Sequence, residues 1–377
     1  MRVLQIANGY FGNRIYYNFF NTLEEKNIDN IIFVPQKINC NKENNQDCLN
    51  KNIFAPECFS YIDRFFFRRK EKKILDVLKK EYNKYLQSID VIHAHTLFSN
   101  GYIAYLLNKS LNIPYIVAIR NTDINIFFKY RYFLRRIGIE VMKNADKIIF
   151  LSNASKKEVF CKYIKPKDSN LLLNKTVVIP NGVDKFWIEN KIRVPKKIKE
   201  NEFKIIYVGQ INKNKNVKST ILACKELIKD NKFVKFTVVG ECRSNKFKKL
   251  LKEDFIEYHN HCSKEELISY YRESDVFVMP SIKETFGVVY AEALTQGIPV
   301  IYTSGQGFDE QFKNGEVGFS VNCKNINDIK NAILSAYMNY EDIQNRILKL
   351  RNVFDWNVIS DEYKKLYKEL VWENSKI

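Results

Sequence analysis

Short apolar β-type runs alternate with longer helical stretches along the whole chain, and this alternation constrains the fold more than any other feature. In the first half, strands are predicted at Val3–Ala7, Ile31–Val34, Val91–His93, Ile116–Ile119, Ile148–Leu151 and Val177–Ile179. Several of them are unbroken apolar runs, which are typical of strands that are covered on both faces. Helical stretches lie between them, so we expect a parallel sheet with right-handed crossovers.

The same pattern restarts after a charged segment, Asp184–Phe203, which we interpret as an interdomain linker. The second set of predicted strands is Ile205–Val208, Thr237–Val239, Val276–Met279, Val300–Tyr302 and Gly318–Val321. We therefore predict an α/β protein with two doubly wound, Rossmann-like domains, residues 1–183 and 184–355. Such sheets bind ligands at the carboxyl ends of their strands, so the cleft between the domains is the expected active site.

Net charge is distributed unevenly between the two halves. The chain of 377 residues carries 61 Lys and Arg against 43 Asp and Glu, a net charge of +18. Residues 1–180 hold 29 basic and 16 acidic residues, a net +13, which leaves +5 for residues 181–377. A basic half indicates an anionic partner or serves solubility, and no nucleic-acid-binding signature is present. The chain begins with a predicted strand, not a secretory signal, so we expect a cytoplasmic protein.

Two basic and aromatic clusters carry part of this excess. Residues 64–73 contain six basic residues, one acid and three phenylalanines, and residues 127–136 contain four basic residues and no acid. Aromatic rings prefer the headgroup region of a bilayer, and Lys and Arg are attracted to anionic lipid. The clusters therefore predict peripheral docking of the first domain on a membrane. The alternative is two helices with solvated basic faces and phenylalanines in the core.

The most informative motif follows the third predicted strand of the second half. The strand ends at Pro280, a loop carries Glu284, Gly287 opens a helix, and Glu292 lies inside that helix. The first N–H groups of a helix have no intrahelical partner, and the helix dipole favours an anion there. This pattern predicts an anion bound by the N–H groups of 286–288, with one carboxylate on each side.

The motif resembles that of the family 4 glycosyltransferases. Seven residues separate Glu284 from Glu292, Pro280-Ser precedes them, and Gly297-Ile-Pro-Val follows. The resemblance implies a GT-B fold and a retaining, metal-independent transfer of a sugar from a nucleotide-sugar donor. It implies that Glu284 binds sugar hydroxyls and Glu292 the donor ribose. It also implies that a last helix, 356–377, crosses back to the first domain.

A second segment is similar to the phosphate-binding loop of that family. The family has Gly-Arg and then Lys-Gly; here Gly209-Gln210 stands first, Lys215 matches the lysine, and Asn216 replaces the second glycine. Lys215 is expected to neutralise the donor diphosphate. The predicted donor-binding residues are Gly209, Gln210, Lys215, Thr285, Phe286, Gly287, Val288 and Glu292.

Two residues of the first half are predicted to reach the site. Arg120 stands at the strand end where the family has a histidine that contacts the transferred sugar. It either faces the diphosphate or pairs with Asp123 and holds the loop. His95 ends another strand, where it is either a cleft residue or a satisfied structural histidine. Glu284, Arg120 and His95 are thus the predicted catalytic residues.

No metal or other cofactor is expected, because the sequence has no Asp-x-Asp motif and no Cys-x-x-Cys pair. The predicted function is sugar transfer from a nucleotide sugar to a glycan or lipid-linked acceptor in bacterial cell-surface polysaccharide synthesis. Gln210 and Arg120 leave a non-catalytic nucleotide-sugar binding module open. A nucleotide-sugar epimerase of the same fold is the other alternative.

Overall fold

The computed structural model describes residues 1–12, 14–39, 52–199, 202–350 and 352–374. The chain divides into two compact units. The first comprises Met1–Leu151, Ser155–Asp184 and Asp355–Ile377, and the second comprises Ser152–Ala154 and Lys185–Phe354. Residues 13, 40–51, 351 and 375–377 are outside the described residues, and the last three of them belong to the predicted final helix, 356–377.

The first unit contains a seven-stranded parallel sheet with the strand order β4-β2-β1-β6-β7-β8-β9, and a small pair, β3-β5. The strands are β1 Arg2–Ile6, β2 Asp29–Phe33, β3 Gln36–Lys37, β4 Ile53–Phe54, β5 Glu57–Phe59, β6 Val91–Ala94, β7 Tyr115–Ile119, β8 Lys147–Phe150 and β9 Thr176–Val178. The helices are α1 Arg14–Glu25, α2 Phe67–Leu86, α3 Ser99–Leu111, α4 Arg135–Asn144, α5 Asn153–Tyr163 and α6 Pro166–Asn174. Strand β7 is buried along its full length, as its unbroken apolar run predicts, and β6 is fully buried although it contains His93.

The second unit contains a six-stranded parallel sheet with the order β12-β11-β10-β13-β14-β15. Its strands are β10 Glu202–Val208, β11 Phe233–Val239, β12 Ile256–His259, β13 Val276–Val278, β14 Val300–Thr303 and β15 Gly318–Val321. Its helices are α7 Lys185–Glu189, α8 Val217–Lys229, α9 Asn245–Leu250, α10 Lys264–Glu273, α11 Val288–Thr295, α12 Ile326–Met338 and α13 Tyr340–Lys349. The predicted α/β architecture with two parallel sheets is therefore confirmed.

The last helix, α14 (Trp356–Asn374), completes the core of the first unit. Trp356, Ile359, Tyr363 and Tyr367 are buried in the cluster that covers one face of the first sheet. The predicted return of this helix to the first domain is confirmed. Its amphipathic sequence needs an apolar partner, and that sheet face supplies it.

Two features of the second unit differ from the sequence-based prediction. Strand β12 was not predicted, because it is a half-buried edge strand and lacks an apolar run. The segment predicted as a linker packs within the unit: Trp187 is buried, and Lys196 Nζ lies 2.5 Å from Asp275 Oδ1. Because the segment is rich in charged residues, its sequence gives no sign of either contact. Glu200 and Asn201 of that segment are outside the described residues.

Candidate functional site

Two loops meet at the carboxyl edge of the second sheet. Strands β10 and β13 are parallel neighbours, so the loops that follow them start side by side. The N–H of Ile282 donates to the carbonyl of Asn214 at 2.7 Å, and the Asn214 amide donates to the carbonyl of Lys283 at 2.9 Å. These bonds hold the predicted phosphate loop against the loop that carries Glu284.

Lys215 and Glu284, one from each loop, form an ion pair. Lys215 Nζ lies 2.5 Å from Glu284 Oε2, and the two side chains are 25% and 13% exposed. The backbone of Glu284 is fixed as well, because its N–H donates to Gln306 Oε1 at 3.0 Å and its carbonyl accepts from Gly307 at 2.8 Å. The two predicted residues are thus brought together in a partly buried position where charge interactions are strong.

Helix α11 begins directly beside this pair. Its N-cap, Gly287, has a φ of 76°, and a Cβ there would lie 2.5 Å from the Tyr290 ring. Only glycine fits this turn without strain. Tyr290 is itself held by a 2.5 Å bond from its hydroxyl to the carbonyl of Met279. The helix N-terminus therefore has a fixed position relative to Glu284.

Three more predicted donor-binding residues lie along this loop and helix. Phe286 is buried, Val288 opens the helix, and Thr285 is 8% exposed. Among the described residues, Thr285 Oγ1 has no hydrogen-bond partner. A buried hydroxyl in this state is costly, and a bound ligand would supply a partner.

Glu292 lies four residues beyond the start of α11, about 6 Å along the helix axis. It is half-buried and interacts with the hydroxyl of Tyr271. Burial, and then the charge of Glu292, raise the pKa of Tyr271 well above its usual value. The tyrosine stays protonated and acts as a hydrogen-bond donor to the carboxylate.

In the predicted phosphate loop, the backbone of Gly209 passes very close to that of Gly240. Gly209 has a φ of 149°, and a Cβ on Gly240 would lie 2.0 Å from the Gly209 carbonyl oxygen. Gln210 is exposed, and its side-chain oxygen accepts from Asn212 at 3.0 Å. An uncharged, solvent-facing amide therefore occupies the position at which the family has arginine.

Asn216 adopts the left-handed conformation that the family glycine would have, with a φ of 57°. Its side-chain amide donates to the carbonyls of Pro280 at 3.0 Å and Cys323 at 2.8 Å. Asparagine is the non-glycine residue that enters this region most readily. The replacement therefore keeps the loop conformation and adds two hydrogen bonds between segments that are distant in the sequence.

Arg120 follows β7 at the carboxyl edge of the first sheet. Its Nη1 donates to Asn181 Oδ1 at 2.9 Å, and its backbone N–H donates to Asp123 Oδ2 at 2.9 Å. The Asp123 carboxylate also accepts from the N–H groups of Leu97 and Phe98. Asp123 therefore holds the loop through backbone bonds, whereas the guanidinium is positioned by Asn181.

His95 lies in the core of the first unit with no exposed surface. Its ring stacks on His93 at a centroid distance of 4.0 Å, and its Nε2 lies 2.8 Å from Gln5 Oε1. Burial, then His93 and Arg120, hold the pKa of His95 well below its usual range, so the ring is neutral. This environment favours the structural role over the cleft role.

Comparison with known proteins gives two family matches. The model described as Glycosyltransferase Family 4 matches residues 13–185, and the model described as Glycosyl transferases group 1 matches residues 188–352. An uncharacterized glycosyltransferase of Methanocaldococcus jannaschii is 30% identical over 300 residues, which cover 75% of this chain and 76% of the relative. This chain belongs to the family 4, group 1 glycosyltransferases. The predicted family and enzyme class are confirmed.

Two further similarities concern a capsule enzyme and a solved structure. The glycosyltransferase is 26% identical over 279 residues to the capsular polysaccharide biosynthesis glycosyltransferase CapM of Staphylococcus aureus, covering 69% of this chain and 71% of the relative. The crystal structure of Anabaena HepE in complex with UDP is similar with a TM-score of 0.70 at 14% identity, covering 98% of this chain and 100% of that chain. The structural likeness confirms the predicted GT-B fold.

Within the parts of the glycosyltransferase that the structure describes, no helix is long and apolar enough to span a bilayer. The same ranges contain no group of three or more His, Cys, Asp or Glu side chains that could hold a metal ion.

Proposed function

We propose that this glycosyltransferase uses a uridine diphosphate sugar and transfers the sugar with retention of configuration. The observation that carries the proposal is the Lys215–Glu284 ion pair at the N-terminus of α11. A cation, a helix N-terminus and a carboxylate stand together, which are the groups that a diphosphate and an adjoining sugar require. The UDP bound to HepE supports uridine as the nucleoside.

The proposed mechanism assigns a step to each group. Departure of UDP develops negative charge on its β-phosphate, which Lys215 and the N–H groups at the start of α11 stabilise. Glu284 then accepts hydrogen bonds from the sugar hydroxyls, and Glu292 from the ribose. The departing phosphate takes the proton of the acceptor hydroxyl as that hydroxyl attacks the same face of the sugar. No side chain has to act as a general base.

The ion pair gives Lys215 and Glu284 a defined state before the donor arrives. Glu284 compensates the charge of Lys215, so neither charge is left unpaired in a partly buried site. On donor binding, Lys215 turns to the diphosphate and the Glu284 carboxylate becomes available to the sugar. Additional stabilisation of phosphate charge by Arg120 remains a prediction.

We propose that the acceptor belongs to surface polysaccharide synthesis and is reached at a membrane. The similarity to CapM supports the pathway. Eight large residues of the two basic clusters and their flanks are 47% to 73% exposed: Tyr61, Ile62, Phe65, Phe66, Ile126, Tyr130, Tyr132 and Phe133. The alternative, with phenylalanines in the core, holds for Phe67 and Phe128 but not for these residues. Exposed aromatic and basic residues favour an anionic membrane surface.

The donor proposal is tested by UDP binding to two lysine variants. We expect Lys215→Ala to weaken UDP binding about tenfold, and more at low salt, because a charge-assisted contact is lost. Lys213 is exposed in the same loop, so Lys213→Ala is the matched control and leaves the affinity unchanged. Calorimetric titration measures both. The reverse pattern would show that the loop register is wrong.

The reaction class is tested by product analysis. Release of UDP with a new glycosidic bond of unchanged anomeric configuration supports transfer with retention. Formation of a 2-epimer of the donor sugar without transfer would support the epimerase instead. We also propose that no metal ion takes part, so turnover in EDTA equals turnover without it.

A further inference from the structure

We propose that a cavity in the first unit binds the phosphate group of a lipid-linked acceptor. This inference rests on the proposed function and names the class of its acceptor. The cavity has a volume of about 510 Å³ and lies at the carboxyl edge of the first sheet. Its wall includes Asn8 after β1, Gln36 after β2, Ser99 at the start of α3 and Thr122 after β7. In open α/β sheets this edge is where ligands bind.

Four cations line this acceptor cavity, and no carboxylate is among its lining residues: Lys37, Arg64, Lys70 and Arg131. Ser99, the first residue of α3, also lines the cavity, but the N–H groups of Asn100 and Gly101 in that turn donate to Thr96. The four cations are therefore the groups that are complementary to a phosphate or diphosphate group.

Two buried carboxylates lie behind the cavity wall: Asp123, beside the lining residue Thr122, and Glu71, beside the lining residue Lys70. Glu71 has no exposed surface, and its Oε1 lies 3.0 Å from Lys70 Nζ. Burial raises the pKa of Glu71 to about 7. Glu71 thus holds Lys70 at the wall and offsets at most one of the four positive charges. The cavity keeps a net positive charge.

Other basic residues of the first cluster are engaged elsewhere. Asp63 is buried, and it pairs with Lys73 at 2.8 Å and Arg69 at 3.3 Å. These two cations therefore stabilise the start of α2, whereas Arg64 and Lys70 line the cavity. The placement is selective, which distinguishes this wall from a generally basic surface.

Aromatic rings form the remaining wall and fix the cations. Lys70 Nζ lies 4.8 Å from the centre of the Phe59 ring, and the Arg131 guanidinium lies 5.6 Å from that of Phe127. Phe67 and Phe127, one from each cluster, have ring centroids 6.2 Å apart. The two basic and aromatic clusters therefore meet at this cavity.

The same two segments that line the cavity also carry the exposed aromatic residues. Phe65 and Phe66 adjoin Arg64 and Phe67, while Tyr130 and Tyr132 flank Arg131. A ligand with a phosphate in the cavity would therefore have its apolar part beside residues suited to a bilayer interface. This arrangement favours a lipid phosphate over a free phosphorylated sugar.

Vesicle binding by the full chain tests the proposal. The probe is a neutral phosphatidylcholine vesicle with a small fraction of polyprenyl diphosphate, and the reference has phosphatidylserine at equal charge. We expect wild type to prefer polyprenyl diphosphate about tenfold, and Arg131→Gln or Lys37→Gln to abolish the preference. Arg136→Gln is the matched control from the second cluster: it weakens binding to both vesicles and retains the preference.

Three outcomes decide the proposal. Equal preference in wild type and both cavity variants would overturn it, as would no preference in wild type. Pyrophosphate binding that needs Arg131 but shows no preference for polyprenyl diphosphate vesicles would assign the cavity to a free phosphate and overturn the lipid source. UDP titration of the same variants separates this proposal from the donor proposal, because the cavity variants should bind UDP as wild type does.

Discussion

At the residue scale, a few short contacts fix the two carboxylates of the proposed donor site. Glu284 accepts from Lys215 Nζ and from the N–H of Thr285 at 3.1 Å, so both of its oxygens are engaged. Glu292, about one helical turn beyond the start of α11, interacts with the hydroxyl of Tyr271 on α10. These contacts order the carboxylates before any ligand binds, which lowers the entropic cost of binding.

We predict that Glu284→Ala and Glu292→Ala each reduce turnover at least tenfold, about 1.4 kcal/mol in activation free energy. Both carboxylates are proposed to bind the donor, and neither is part of the hydrophobic core. The melting temperature should therefore change little. The measurement is the rate of UDP release. The donor is the UDP-sugar that raises the melting temperature of the wild-type protein most.

Glu265 is a suitable control for that comparison, because it is exposed in the first turn of α10. Glu265→Ala should keep the wild-type rate. If the Glu284 and Glu292 variants also turn over at the wild-type rate, the assigned roles of both carboxylates are wrong.

At the element scale, α14 connects the end of the chain to the core of the first unit. Trp356 packs against Phe19 with ring centroids 5.2 Å apart, and the Tyr367 hydroxyl lies 2.7 Å from His93 Nδ1. A Cβ on Gly182 would lie 2.6 Å from the Trp356 ring. The backbone turn formed by Pro180, Asn181 and Gly182 is thus a packing surface for the helix.

Gly182→Ala should therefore destabilise the first unit by about 1–3 kcal/mol, because the added methyl group overlaps the indole ring. Gly9→Ala is the control, since the nearest atom to its Cβ, in the Tyr16 ring, is 3.7 Å away. Thermal unfolding followed by tryptophan fluorescence measures both. Equal melting temperatures for the two variants would contradict the packing of Trp356 on this turn.

At the scale of the whole molecule, most of the excess positive charge lies in the first half, and burial and ion pairs decide which basic residues are available to the proposed membrane surface. Arg135 is half-buried, and its Nε donates to the carbonyl of Phe128. Arg69 pairs with Asp63. Arg68 and Arg136, one in each cluster, are exposed and are the residues to test.

We predict that Arg68→Glu combined with Arg136→Glu greatly reduces co-sedimentation with anionic vesicles. Each basic residue near an anionic surface contributes about 1 kcal/mol, and the attraction falls with salt. The control is Lys246→Glu combined with Lys249→Glu, an equal charge change at exposed positions of the second unit. If both double variants lose binding equally, net charge and not the clusters determines docking.

The sequence by itself determined the two α/β halves, the strand-end loops and the helical end of the chain. These are local properties: buried parallel strands need unbroken apolar runs, and Gly or Pro marks the turns that follow them. The motif around Glu284 is local in the same sense, because strand, loop and helix are contiguous. Edge strand β12 was missed because its half-exposed residues carry no such run.

Only the tertiary structure decided which distant residues meet. Lys215 and Glu284 are 69 residues apart and pair because β10 lies beside β13 in the sheet. The proposed acceptor cavity likewise joins residues from several segments between Asn8 and Arg131. His95 stands at the end of its strand, where the sequence allows it to face a cleft. In the structure, its side of the sheet is covered by α1 and α14. A period of two specifies that a side chain faces one side of the sheet, whereas strand order and helix packing determine what covers that side.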